Sequence, residues 1–408
     1  MRVPDSTPAG KRAPSRFPVV VVSHAVTDFF SFIIIPLMLI LDDRANLTMV
    51  QQAEILGVGS IASGLIQPLV AFLSDRFDTR WLGTLGLAVA AIAISLVGYA
   101  HSFGQLVLIQ ALGSAGVGAF HPIAAAAAGQ LGGLRRSRTV AIFYSAGMLG
   151  MVVAGWVVPL LVNKLGIERL AFLMIPGLLM TGGLAWAIHD VQHRSATARA
   201  DHASLPEHER RGRWIDVGLL FSANTVRFFV NTMLVQLILR WTEQWVMASE
   251  GVPGLTESLR AKATSINGPL QGAMAIGQGF AGVLVGLFVV QRMEKKLLVT
   301  VPIIGAVAVA AVPHVSTVWA CWTLAIAAGV GFAGVMPITI TMAQRLLPHR
   351  TSLASALMMG AAWTLAALGP SAAQWLYERV GLNAAFGWVA GFLLLSSVLA
   401  LPLRGQAR

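Results

Sequence analysis

The sequence predicts an all-α membrane protein of twelve transmembrane helices, arranged as two pseudo-symmetric six-helix bundles. Three observations carry that expectation. Hydrophobic residues make up 56% of the 408 positions and charged residues only 12%, about half the charged share of a soluble domain, which leaves too little polar cover for a water-facing surface. Apolar runs of about twenty residues, long enough to cross a bilayer as helices, recur along the chain. The two halves of the chain also resemble each other in order and spacing.

The first apolar run follows a polar, basic start that reaches Pro18. It is too long for a signal-peptide core and no small-residue cleavage site follows it, so it reads as a retained first span. Hydropathy breaks place spans 1 to 6 near residues 17–41, 51–74, 81–100, 103–130, 139–163 and 170–188. Spans 7 to 12 fall near 215–241, 264–290, 297–312, 317–343, 352–376 and 382–403. A polar linker, 189–213, divides an N-terminal bundle (1–188) from a C-terminal one (214–408). The 41 glycines and 18 prolines suit such bundles, where they allow close approach and local breaks.

Composition also excludes function classes. The single cysteine, Cys321, rules out an internal disulfide framework and a multi-cysteine metal site. The linker histidines His189, His193, His202 and His208 are irregularly spaced in a basic stretch and read as a solvated loop. No metal and no cofactor are expected. The net charge of +11 is scattered between apolar runs, not gathered into a patch, so no nucleic-acid partner is expected. No phosphate-binding loop of the Walker type appears, so direct ATP drive is unsupported. Lys and Arg favour the side holding both termini by about three to one, which places the termini in the cytoplasm.

The repeat is specific in its spacing. Residues 23–30 read SHAVTDFF and residues 222–229 read SANTVRFF, an offset of 199. GVGAFHPIAAAAAGQL around Pro122 matches GFAGVMPITITMAQRL around Pro337 at an offset of 215, which also pairs Gly116 with Gly331 and Gly166 with Gly381. An extra external stretch around residues 243–262 absorbs the difference. Two parallel six-span halves related by an axis along the membrane normal are a transporter signature.

Residues 71–80 read AFLSDRFDTR. This resembles the signature loop of the major facilitator superfamily, in which Gly-x-Leu-x-Asp-Arg-x-Gly-Arg-Arg joins spans 2 and 3. Leu73, Asp75, Arg76 and Arg80 match; Ala71 and Asp78 replace glycines, and Thr79 replaces a basic residue. The resemblance implies that Asp75 latches a cytoplasmic gate with Arg76 and Arg80. An acid beside bases at a helix end is a clasp that can break and reform. In the second half the acid falls opposite Val290, so that clasp is expected to be degraded. The Phe120-His121-Pro122 triplet, the His24-x-x-x-Asp28 spacing and Gln67-Pro68 resemble the fosmidomycin-resistance-like branch of the superfamily. That branch implies the twelve-helix fold and drug efflux.

Within the spans the candidates are few. Asp28 lies midway along span 1 and Arg227 lies within span 7 at the equivalent repeat position. An ionised side chain at the bilayer centre costs about 2.5–3.5 kcal/mol on insertion scales, so both should face a cavity or the bundle interior. We expect the two to pair in one transport state and Asp28 to take up a proton when they part; the alternative is a static structural pair. His24, four residues before Asp28 and on the same helical face, relays protons or fixes the carboxylate. His121 is a cavity ligand or satisfies the carbonyl freed by Pro122. Asn224 and Asn231 share a face with Arg227 and suit a hydrogen-bonding or anionic solute; Gln67 is a further substrate candidate. Gly147, Gly150 and Gly155 with Pro159 read as close packing.

The function expected is secondary active transport by alternating access, with proton-coupled efflux of a small organic compound. The alternatives are proton-linked uptake of an organic anion, a transport-inactive membrane sensor and an intramembrane enzyme. The partners expected are a small-molecule substrate, protons and the lipid of a bacterial inner membrane, with a monomer as the working unit.

Overall fold

The computed structural model describes residues 16–74, 77–131, 136–191, 206–347 and 350–404. Their regular structure is all helical. In the first half run α1 (Phe17–Ala45), α2 (Met49–Ser74), α3 (Arg80–Tyr99), α4 (Phe103–Leu131), α5 (Arg136–Leu165) and α6 (Ile167–Ile188). In the second run α7 (Glu207–Glu250), α8 (Glu257–Phe288), α9 (Gln291–His314) and α10 (Val318–Leu346). The last continuous run, Leu353–Ala400, is broken at Gly381, where φ is 79° and ψ is 171°. It therefore supplies α11 (353–380) and α12 (382–400), which completes the twelve.

The glycine pair 215 residues apart marks the same turn twice. Gly166 between α5 and α6 has φ 87°, and Gly381 between α11 and α12 has φ 79°. Only a residue without Cβ enters that backbone region without strain. Gly116 in α4 lies against the backbone of Gly86 in α3, and Gly331 in α10 against that of Gly305 in α9. Backbones meet closely where side chains would hold helices apart.

Two helix ends differ from the sequence reading. α7 begins at Glu207, inside the expected linker, with Glu207 and Glu209 in its first turn. Acids there offset the exposed N–H groups of the helix start. It then runs to Glu250 and stops at Gly251, a left-handed C-cap at φ 67°. The expected loop around 243–262 is thus largely the end of α7 and the start of α8. Span 10 is two helical pieces, Val318–Ala333 and Met336–Leu346, with Pro337 opening the second. Its counterpart α4 carries Pro122 within one unbroken helix.

The two bundles meet along two seams. Gly155 of α5 touches the carbonyl of Gly268 in α8, and Gly64 of α2 lies against Thr364 and Gly360 of α11. Towards the surrounding bilayer the molecule shows Leu179, Phe280, Phe288, Trp319 and Leu368, each more than half exposed. Lipid supplies the apolar solvent these side chains need.

The first and last described residues, Arg16 and Arg404, lie at one face of the bundles. Arg16, before α1, pairs with Asp190, after α6, and holds that carboxyl below its ordinary range. The backbone N–H of Arg404 reaches Asp216 at 3.5 Å. At the opposite face polar contacts cross between bundles: Arg260 to Asp42 at 2.6 Å and to Asp43 at 3.3 Å, and Arg240 to Gln52.

Open space surrounds a Cβ built at Gly381 or at Gly387, so only backbone conformation separates them. Gly381→Ala is expected to destabilise the purified protein by about 1–3 kcal/mol through strain, while Gly387→Ala leaves it unchanged or slightly more stable. Thermal unfolding in detergent micelles checks both.

Candidate functional site

A cavity of about 250 Å³ lies between the two bundles, with walls from both halves. Of the sequence candidates, His24, Asp28, Gln67, His121 and Asn231 line it. Its remaining polar lining is neutral, including Gln110, Ser114, Tyr144 and Gln278, and five methionines join it: Met148, Met151, Met274, Met336 and Met359. Among the described residues Asp28 is the one acid in the lining.

The acid is not alone. On α1 His24 and Asp28 sit one helical turn apart, and the His24 Nε2 lies 3.3 Å from Asp28 Oδ2. From α4 the His121 Nε2 lies 3.3 Å from Asp28 Oδ1. The two Nε2 atoms are 3.2 Å apart. Each ring is anchored at its other nitrogen: His24 Nδ1 faces the Phe143 carbonyl at 2.6 Å, and His121 Nδ1 faces the Val117 carbonyl at 2.8 Å. His24 also stacks on the Phe143 ring at 4.0 Å. Gly147 on α5 makes room, since a Cβ there would run into Asp28 and His24.

These anchors settle the tautomers. A carbonyl oxygen only accepts, so both Nδ1 atoms carry hydrogen and donate it. In neutral rings both Nε2 atoms are then bare acceptors. With Asp28 ionised, the two nitrogens and two carboxylate oxygens would confront one another as lone pairs at 3.2–3.3 Å. One added proton resolves this, because a ring N–H or a carboxyl O–H then bridges a close pair and the cluster becomes net neutral. A second proton would leave the cluster net positive, on two cationic rings beside the carboxylate or on one ring beside a neutral carboxyl. The geometry therefore favours one shared proton, in a place where net charge is costly.

Arg227 does not join the cluster. It is buried in the second bundle, where its Nη2 donates to Asn224 on its own helix at 3.2 Å. Its Nε and Nη1 have no acceptor among the described residues. Asn224 in turn donates to the Met358 carbonyl in α11. Neither residue lines the cavity. The Asp28–Arg227 pair expected in one transport state is absent from this arrangement: the repeat fixes depth along each helix, but Arg227 turns into its own bundle while Asp28 stays on the cavity wall with the two histidines.

Of the expected gate residues, Asp75 and Arg76 lie outside the described residues, as do His193 and His202 of the linker. Arg80 holds Asp78 through its Nε, at 2.8 Å to Oδ1, and also reaches the His189 carbonyl. In the second half Glu294, four residues past Val290, pairs with Arg345 at the end of α10.

Sequence reasoning missed Tyr144. Its hydroxyl donates to Met359 Sδ at 2.6 Å across the bundles, and the two positions are 215 apart. Residues related by a twofold axis that touch each other must lie beside it. The repeat offset was the available signal.

The sequence profile of the Major Facilitator Superfamily matches residues 20–260. The Fosmidomycin resistance protein of Escherichia coli (strain K12) is 23% identical over 388 residues, covering 94% of this chain and 91% of that protein. Among solved structures, a bacterial homologue of the human lysosomal transporter Spinster, inward-facing and unoccupied, superposes with a TM-score of 0.65 at 16% identity, covering 96% of each chain. A mutant of the peptide transporter POT gives 0.68 at 14% identity, covering 94% of this chain and 93% of that one.

The unsatisfied guanidinium makes Arg227 a stability test. Replacing a buried, poorly paired charge with an apolar side chain of similar volume is often neutral or stabilising by about 1–4 kcal/mol. Arg227→Met is therefore expected to hold or raise the unfolding temperature, whereas Asn224→Ala, which orphans the cation further, lowers it. Paired melts in one detergent decide between them.

Proposed function

The chain belongs to the Major Facilitator Superfamily, a family of membrane transporters, and from that premise we propose that it exports a small organic compound by alternating access in exchange for protons. The observation that carries the proton exchange is the His24–Asp28–His121 cluster on the cavity wall. A site that is neutral with one proton and charged without it is stable in the membrane only when loaded, or when opened to water. That property ties proton movement to the rocking of the bundles.

The cavity supports an uncharged or weakly polar organic solute. Thioethers and aromatic rings give adaptable apolar contact, and the amides of Gln67, Gln110 and Asn231 give hydrogen bonds. Uptake of an organic anion loses its support, since Arg227 does not line the wall. The export direction draws on the Escherichia coli relative, whose name attaches it to fosmidomycin resistance. We place both termini in the cytoplasm on the charge bias between loops; a monomer in a bacterial inner membrane belongs to the same proposal.

The test begins with a thermal-shift screen of purified protein for stabilising solutes, followed by flux of the hits in proteoliposomes. An imposed pH gradient, acidic on the side to which solute moves, is expected to accelerate the wild type. Asp28→Asn should lose that acceleration at least tenfold while keeping solute exchange at equal pH. Gradient-driven flux that survives in Asp28→Asn ends the proton assignment.

A further inference from the structure

We propose that His24, Asp28 and His121 form a binding site for one divalent transition-metal ion of borderline softness, zinc being the type. The cluster offers two imidazole nitrogens and a carboxylate, a donor set that suits such ions. Its dimensions fit as well. A tetrahedral ion bound at about 2.0–2.1 Å holds its ligand atoms roughly 3.3–3.4 Å apart. Here the nitrogen–nitrogen distance is 3.2 Å and each nitrogen–oxygen distance is 3.3 Å. The three donors converge within 4.8 Å of one another. A turn of the carboxylate brings a single oxygen to the ion.

The ring anchors point the same way. A metal-bound histidine characteristically donates its second N–H to a carbonyl or carboxylate, which fixes the ring and the tautomer. His24 and His121 both do so, to the carbonyls of Phe143 and Val117. Neither anchor needs to move when the ion enters. Three protein ligands leave a fourth position, and the cluster faces the cavity, so water or a solute oxygen completes the tetrahedron there. The groups around the cluster do not compete: Tyr144 gives its hydroxyl to Met359, and Gly147 offers no side chain.

The inference shares its residues with the proton-exchange reading but rests on donor geometry. Its test needs no flux, no solute and no pH gradient, so either can fail alone. Cobalt chloride is titrated into the full-length chain in detergent micelles, and visible absorption is followed, since four-coordinate cobalt absorbs far more strongly than the hexaaquo ion. A chain with His189, His193, His202 and His208 all changed to glutamine serves as the reference, which removes linker binding. We expect one cobalt per chain with intense bands, displaced by zinc. His121→Gln, His24→Gln and Asp28→Asn, each in that reference, should weaken binding at least tenfold while keeping a monodisperse elution profile. Should one variant fail to elute so, the other two carry the comparison. No saturable band in the reference, or a band indifferent to these substitutions, overturns the proposal.

Discussion

A carboxylate held between helices inside a bilayer must be neutralised where it stands. Burial keeps most water from it, and an isolated charge there costs several kcal/mol. Asp28 meets this demand with two imidazoles whose outer nitrogens are tied to backbone carbonyls. The surroundings follow from that arrangement. α1 must present His24 and Asp28 on one face, α4 must approach closely enough for His121 to reach the opposite oxygen, and α5 must be stripped to glycine at position 147. The cavity owes its one charged wall to these three helices.

The duplicated architecture makes the asymmetry of that chemistry plain. Turns at Gly166 and Gly381 share a backbone region open to glycine, and the α3–α4 and α9–α10 contacts share glycine-on-glycine packing. Scaffold positions were kept in both copies. Chemical positions diverged: Asp28 faces Arg227 in the alignment of halves, and His121 faces Met336. One bundle therefore carries the ionisable cluster, while the other contributes thioethers, amides and aromatic rings to the same cavity. On the proposals above, one half holds the ion while both halves read the shape of the solute.

Some of this was legible in the sequence. Span number, the two halves and the glycine turns follow from hydropathy and offset, because both are properties of the chain's order. The pairing of His24 with Asp28 follows from a four-residue spacing on a helix. The contact between His121 and Asp28 does not, since it depends on how α1 leans on α4. The Asp28–Arg227 pair, expected in one transport state, is absent from this arrangement for a related reason. Repeat symmetry equates depth in the membrane but leaves the direction of each side chain to its packing, and Arg227 turned towards Asn224. The long α7 escaped hydropathy reading because its charged ends fold as helix beyond the bilayer.

The closing contacts of the two faces differ in kind, and that difference bears on alternating access. Opposite the termini the bundles are joined by charge, through Arg260 with Asp42 and Asp43 and through Arg240 with Gln52. On the terminal side of the seam the described contacts are apolar or weakly polar, such as Tyr144 with Met359 and the approach of Gly286 to Ala141. Water can replace the partners of the part-exposed Arg260 ion pairs at modest cost, whereas Arg240 and Gln52 are buried and parting an apolar seam exposes surface in proportion to its area. The Arg260 contacts can thus separate with their ions rehydrated, while the Arg240–Gln52 contact has first to be opened to water. Occupancy of the central cluster sits between these two seams, where it can bias which of them opens.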